Sequence, residues 1–114
     1  MLKKEILRNK KEFSSIYRKG KSVPDRYVVL FVKKNNLGYN RTAFLASKKV
    51  GNSVQRNRAK RLMKESYRFL EGELRTGYDM ILVARNSING RKFSDVDFSI
   101  RNALKKLNIM GKRD

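Results

Sequence analysis

Residues 53–74 carry the longest helical pattern in the chain, and no other feature limits the fold as much. At about 100° per residue, Ala59, Leu62, Met63, Ser66, Phe69 and Leu70 fall into one arc. Arg56, Asn57, Lys60, Arg61, Lys64 and Arg68 fall into the opposing arc, with Arg58 and Glu65 near its boundary. Such a helix packs by one face and turns a nearly continuous cationic face outward. Any fold built around it must supply an apolar surface on one side only.

The rest of the chain offers that surface in short pieces. Asn9-Lys10-Lys11-Glu12 reads as a capping box, with Asn9 as N-cap and Glu12 reaching back. It opens a helix through about Arg18, with Phe13, Ile16 and Tyr17 on one face and Gly20 as its stop. A short extended piece follows at residues 21–24. The β-branched and aromatic run at 27–32 predicts a strand. Turn-rich residues 35–40 lead to a strand at 42–47, expected as its hairpin partner. Gly77 follows the long helix, and the apolar run at 79–85 predicts a buried strand. A polar loop at 86–93 precedes a last helix capped by Ser94, with Asp97 three residues on. Phe98, Ile100, Ala103, Leu104 and Leu107 form its expected apolar stripe. Residues 111–114 read as a frayed tail. The expected order is αβ(β)βαβα in a single domain over residues 1–114, with no internal repeat and no linker.

Charge decides the class of partner. Lys and Arg number 29 against 10 Asp and Glu, a net charge of +19. So large an excess repels itself in the compact state, and a polyanion is its usual reason. No apolar run approaches the ~20 residues of a membrane span, and residues 1–7 have basic flanks but no apolar signal-peptide core. The chain has no Cys and no His, which removes thiol and imidazole chemistry, disulfides and zinc fingers together. A cytoplasmic location fits the absence of Cys. Asp95 with Asp97 and Glu71 with Glu73 are the close acidic pairs. At i, i+2 on a helix neither pair makes a metal cage. No catalytic residue is therefore assigned to the protein.

An Arg can clamp a phosphate through two donors, a Lys acts as a compact point charge, and Asn57 can both donate and accept. Unpaired bases stack on exposed rings, so Phe13, Tyr17 and Phe31 are candidates for that role. A half-buried aromatic is commonplace, and the residues alone slightly favour a core role for Phe13 and Phe31. Composition alone does not separate RNA from DNA.

The stretch Ser47-Lys48-Lys49-Val50-Gly51-Asn52, followed by Arg56-Asn57-Arg58-Ala59-Lys60-Arg61, closely resembles the "RNR" signature of the bacterial ribonuclease P protein. The resemblance extends to Phe13, Tyr17, Gly20, Arg26, the strand ending in Phe31, and residues 79–85. It implies an α/β (α+β) two-layer sandwich, with a mixed sheet of about four strands and a left-handed βαβ crossover against the usual right-handed rule. It also implies that an RNA subunit cleaves precursor tRNA, with Mg²⁺ in the RNA active site and none held stably by the protein. The protein would be a monomer paired with one RNA, with no membrane or DNA partner. Carried onto this sequence, the single-stranded 5′ leader would meet Phe13, Tyr17, Phe31, Asn57, Lys60, Arg61 and Lys64. The catalytic RNA would meet Lys48, Lys49, Arg56, Arg58 and Arg68. Lys64 stands where Arg is common in the family, and Tyr17 where Phe is common. A ribosomal protein is the alternative reading, although it would more often carry long basic tails. A DNA architectural protein would call for dimerisation and minor-groove arms, neither of which is suggested.

Overall fold

The structure is a computed structural model that describes residues 10–111. The expected Asn9 cap and residues 112–114 of the expected frayed tail lie outside that range. Helix α1 (Lys10–Lys19) is followed by strands β1 (Lys21–Pro24), β2 (Val28–Lys34) and β3 (Arg41–Leu45). Helix α2 (Ser53–Leu70) and a short 3₁₀ turn (Glu71–Glu73) lead to strand β4 (Tyr78–Ala84) and helix α3 (Phe93–Lys106). The four strands form one mixed sheet in the order β1-β2-β4-β3. No described helix is long and apolar enough to cross a membrane.

The hairpin lies elsewhere than the sequence suggests. β1 and β2 form it, pairing antiparallel from Lys21 opposite Val32 to Pro24 opposite Val29. β3, expected to pair with β2, instead runs parallel to β4, from Arg41 opposite Asp79 to Leu45 opposite Val83. The physical reason is the composition of β4. Met80, Ile81 and Leu82 are all buried, so this strand is apolar on both faces and belongs at the sheet centre. It takes the place between β2 and β3 that a simple hairpin would have closed. Parallel pairing then needs a long crossover, and α2 provides it.

Alternation along the strands divides the apolar residues between two faces. Val28, Leu30, Val32, Met80 and Leu82 face α2 and α3, where Ala59, Met63, Leu70, Val96, Ile100 and Leu104 close the main core. Ala43 and Ile81 point to the other face, where Ile16 of α1 covers them and Phe13, Phe31, Leu45 and Val83 pack alongside. The sheet is thus covered on one face by α2 and α3 and crossed on the other by α1. At Gly20 the α1 C-terminus comes against β2 so closely that a Cβ would stand 2.3 Å from the Val32 carbonyl oxygen and 2.6 Å from that of Ile16.

Two helix faces differ from the wheel reading. Phe69 and Phe98, expected in the core, are 61% and 66% exposed. Their places are taken by Tyr67 on α2 and by Val96 and Ser99 on α3. The α3 start is also two residues earlier than the Ser94 cap predicts. The Asp95 carboxylate accepts from the Lys92 backbone N–H at 3.1 Å, which makes Lys92 the N-cap position.

Tyr67 packs edge-on against Phe44, ring centroids 5.7 Å apart, and burial pushes its phenol up to about 12 from the ordinary 10.0. Between those two values the folded chain holds a proton that the unfolded chain has released, so stability falls as pH rises through that window. The loss attributable to Tyr67 is about 2–3 kcal/mol. Urea denaturation at pH 9 and 11.5 checks it: the decline should be shallower in Tyr67→Phe than in the parent chain. Parallel declines would show that the phenol is not the cause.

Candidate nucleic-acid interface

The α2 N-terminus is fixed by a reciprocal cap. The Asn52 side-chain oxygen accepts from the Gln55 N–H, and the Gln55 side-chain oxygen accepts from the Asn52 N–H, both at 2.9 Å. Gly51, at φ +143°, makes the turn into that cap. The helix phase is thereby set at its first residue, and with it the direction of every cation that follows.

Asn57, Arg61 and Lys64 are exposed, while Lys60 and Arg56 are half-buried on the flank of α2. At about 100° per residue, Lys60 lies close in direction to Tyr67, whose ring meets Phe44 of β3. Lys60, with Asn57 and Lys64 one turn on either side of it, therefore follows the β3 edge of the domain. Nothing pairs with the outer edge of β3 in the described sheet. Lys48 and Lys49 are exposed in the turn that precedes α2. Arg56 and Arg58 do not share a direction, being two residues apart on a helix. Arg56 has its Nε enclosed without a partner. Arg58 leaves on the α3 side, donating to the Arg91 carbonyl at 2.7 Å. Arg68 is exposed and pairs with Glu65 at 2.8 Å.

The aromatic trio comes together on the opposite face of the sheet. The Tyr17 and Phe31 rings meet edge to face with centroids 4.8 Å apart, and Phe13 packs into the same small cluster. Tyr17 is 44% exposed, and Phe13 and Phe31 are half-buried. Phe13 and Phe31 anchor α1 to the sheet, and Tyr17 is presented to solvent beside them. The α2 side chains are not on this face and reach it only around the β3 edge.

An ion network that holds α1 in place was not anticipated from sequence. Arg41 clamps the buried Asp79 with two bonds, Nε to Oδ1 at 2.8 Å and Nη2 to Oδ2 at 2.7 Å. Its remaining Nη1 donates to Glu12 of α1 at 2.6 Å, and Asn35 donates to the same Asp79 at 2.9 Å. The two carboxylates hold the Arg41 guanidinium firmly protonated. One signal was available: an acid placed in an otherwise apolar strand of so basic a chain calls for a buried cation. Other acids are also committed to the fold. Asp97 accepts from Ser66 at 2.7 Å and from Arg101 at 2.8 Å, and Asp25 accepts from Ser99 at 2.6 Å. Among the described residues no group of three or more acidic, His or Cys side chains could hold a metal.

Residues 1–108 match the Ribonuclease P family. The chain is 46% identical over 109 residues to the Clostridium botulinum (strain Loch Maree) ribonuclease P protein component, covering 95% of this chain and 98% of that one. Its identity to the Thermoanaerobacter sp. (strain X514) component is 43%, covering 93% and 90%. Among solved structures, the Staphylococcus aureus RNase P protein superposes with a TM-score of 0.86 at 27% identity, covering 96% of this chain and all of that one. The Thermotoga maritima protein gives 0.82 at 29%, covering 90% and 97%. A further S. aureus structure is of an RNase P protein mutant with defective mRNA degradation activity. On this full-length match, which adds the fold to the Arg56-Asn57-Arg58 helix, the chain belongs to the ribonuclease P protein component family.

Proposed function

We propose that this chain is the protein partner of a ribozyme, binding the RNA subunit of ribonuclease P and holding the 5′ leader of precursor tRNA during 5′ maturation. The observation that carries the reading is the distribution of groups around β3. A ring cluster with one well exposed phenol lies on the sheet face, the β3 edge, unpaired among the described residues, comes next, and a row of Asn57, Lys60 and Lys64 lies beyond it. A single strand laid across that path can stack a base on Tyr17 and give its phosphates to α2. Arg61 would extend this row. Lys48, Lys49, Arg56, Arg58 and Arg68 are left for the catalytic RNA. Arg56 and Arg58 leave α2 in different directions, so they would meet separate RNA elements. The Mg²⁺ that supports hydrolysis belongs to the RNA in this reading, and the protein contributes affinity and position. It acts as a monomer on one RNA, in the cytoplasm.

Reconstitution tests this. Purified chain, nuclease-treated and then freed of nuclease, is incubated with precursor tRNA and with an mRNA fragment in Mg²⁺, alone and with the RNA subunit. Cleavage of precursor tRNA at the 5′ end of the mature tRNA is expected only in the presence of that RNA. Cleavage by the protein alone that disappears on mutating the protein would overturn the division of labour.

A further inference from the structure

The α2–α3 side of the domain carries a second aromatic site, far in direction from Tyr17. Phe69 is 61% exposed on α2, and its ring meets that of Phe93 at the start of α3 edge to face, with centroids 6.1 Å apart. The Arg68 guanidinium lies 5.8 Å from the Phe69 ring centre. A groove beside the pair is lined by Arg58, Arg61, Leu62, Glu65 and Phe93. Its one acid, Glu65, is already bonded to Arg68. Arg58 is held across the seam by its bond to the Arg91 carbonyl, so its position is fixed before any partner arrives.

An exposed phenyl ring among arginines serves no core, and leaving it in water has a cost. From this arrangement we infer that Phe69 is a stacking platform for an unpaired nucleobase of the catalytic RNA, with Arg58 and Arg68 taking the flanking phosphates. The inference rests on the ribozyme-partner reading and adds a base contact to what is otherwise a phosphate-binding surface. Charge selects the occupant. Three arginines against one paired glutamate fit a polyanion, whereas a second copy of the chain would bring the same arginines face to face. The base is gripped by its π-face and the chain by its phosphates, the combination that single-stranded RNA presents.

The chain contains no Trp, so Phe69→Trp places a sole reporter at the site. Titrated with the Clostridium botulinum RNase P RNA subunit, its emission should be quenched to saturation at one RNA per protein. Phe98→Trp, exposed elsewhere on α3, should keep its emission. Phe69→Leu keeps apolar area but loses the π-face, and should bind the RNA subunit about tenfold more weakly. Its holoenzyme should keep the full advantage of a long leader. Wild-type affinity in Phe69→Leu overturns the platform alone. A protein-only, concentration-dependent blue shift of Phe69→Trp, together with a dimer of the parent chain in sedimentation that Phe69→Leu returns to monomer, overturns it in favour of a homodimer contact. If the wild-type chain fails to bind the RNA subunit, the ribozyme-partner reading fails as well.

Discussion

Replacing Arg41 with alanine is expected to destabilise the fold by about 3–5 kcal/mol, since a buried carboxylate loses the cation that clamps it. Asp79 has a side chain just 7% exposed and receives two of its bonds from Arg41. Among the described residues Asn35 would remain as a side-chain partner, and a neutral amide does not balance the charge. Urea unfolding followed by far-UV circular dichroism gives the number directly. Arg41→Met/Asp79→Leu should recover most of the loss, because removing both charges leaves nothing uncompensated inside. A single-variant loss below about 1 kcal/mol, the range of exposed ion pairs, would mean that water reaches Asp79. The same arginine holds Glu12, so the variant should also loosen α1 and weaken leader binding.

Removing the Tyr17 ring should reduce the preference of the holoenzyme for a long leader by about 1–3 kcal/mol, the worth of one base stack. Tyr17→Ala leaves the half-buried Phe13 and Phe31 to anchor α1, so it separates recognition from folding better than a change at Phe13 does. Assembly with the RNA subunit should stay near the parent value. Arg56→Ala/Arg58→Ala should behave in the opposite way, weakening assembly and lowering its salt slope while sparing leader discrimination. The assay titrates each holoenzyme against precursor tRNAs with long and very short leaders, after thermal melts confirm folding. Equal losses for both variants in every assay would rule out two separate surfaces.

Periodicity located the elements because it reports burial on one face, as in α2, where Ala59, Met63, Ser66 and Leu70 are indeed inside. It could not rank the flanks of a helix. Tyr67 and Phe69 sit on opposite sides of the buried stripe, and which one is covered depends on whether β3 or α3 reaches it. Strand order escaped for a similar reason. The apolar run of β4 shows that it is central, but the order of strands around it is a long-range choice that local turn signals at 35–40 did not contain. The candidate site was legible as residue types and as a family motif, while its division between two sheet faces depended on seeing α1 and α2 packed on opposite sides.

The place of β4 between β2 and β3 also bears on how the chain is made. During synthesis β2, β3 and α2 leave the ribosome before the strand that joins them, so the sheet floor beneath Tyr17 cannot close until Ala84 is available. Until then the basic helix is present without its core, next to ribosomal RNA and carrying unshielded cations. Formation of the sheet centre is a non-local event, which is slow compared with helix formation. A nascent chain halted before β4 should therefore resist release by dilution and let go at high salt, whereas one extended past α3 should release freely.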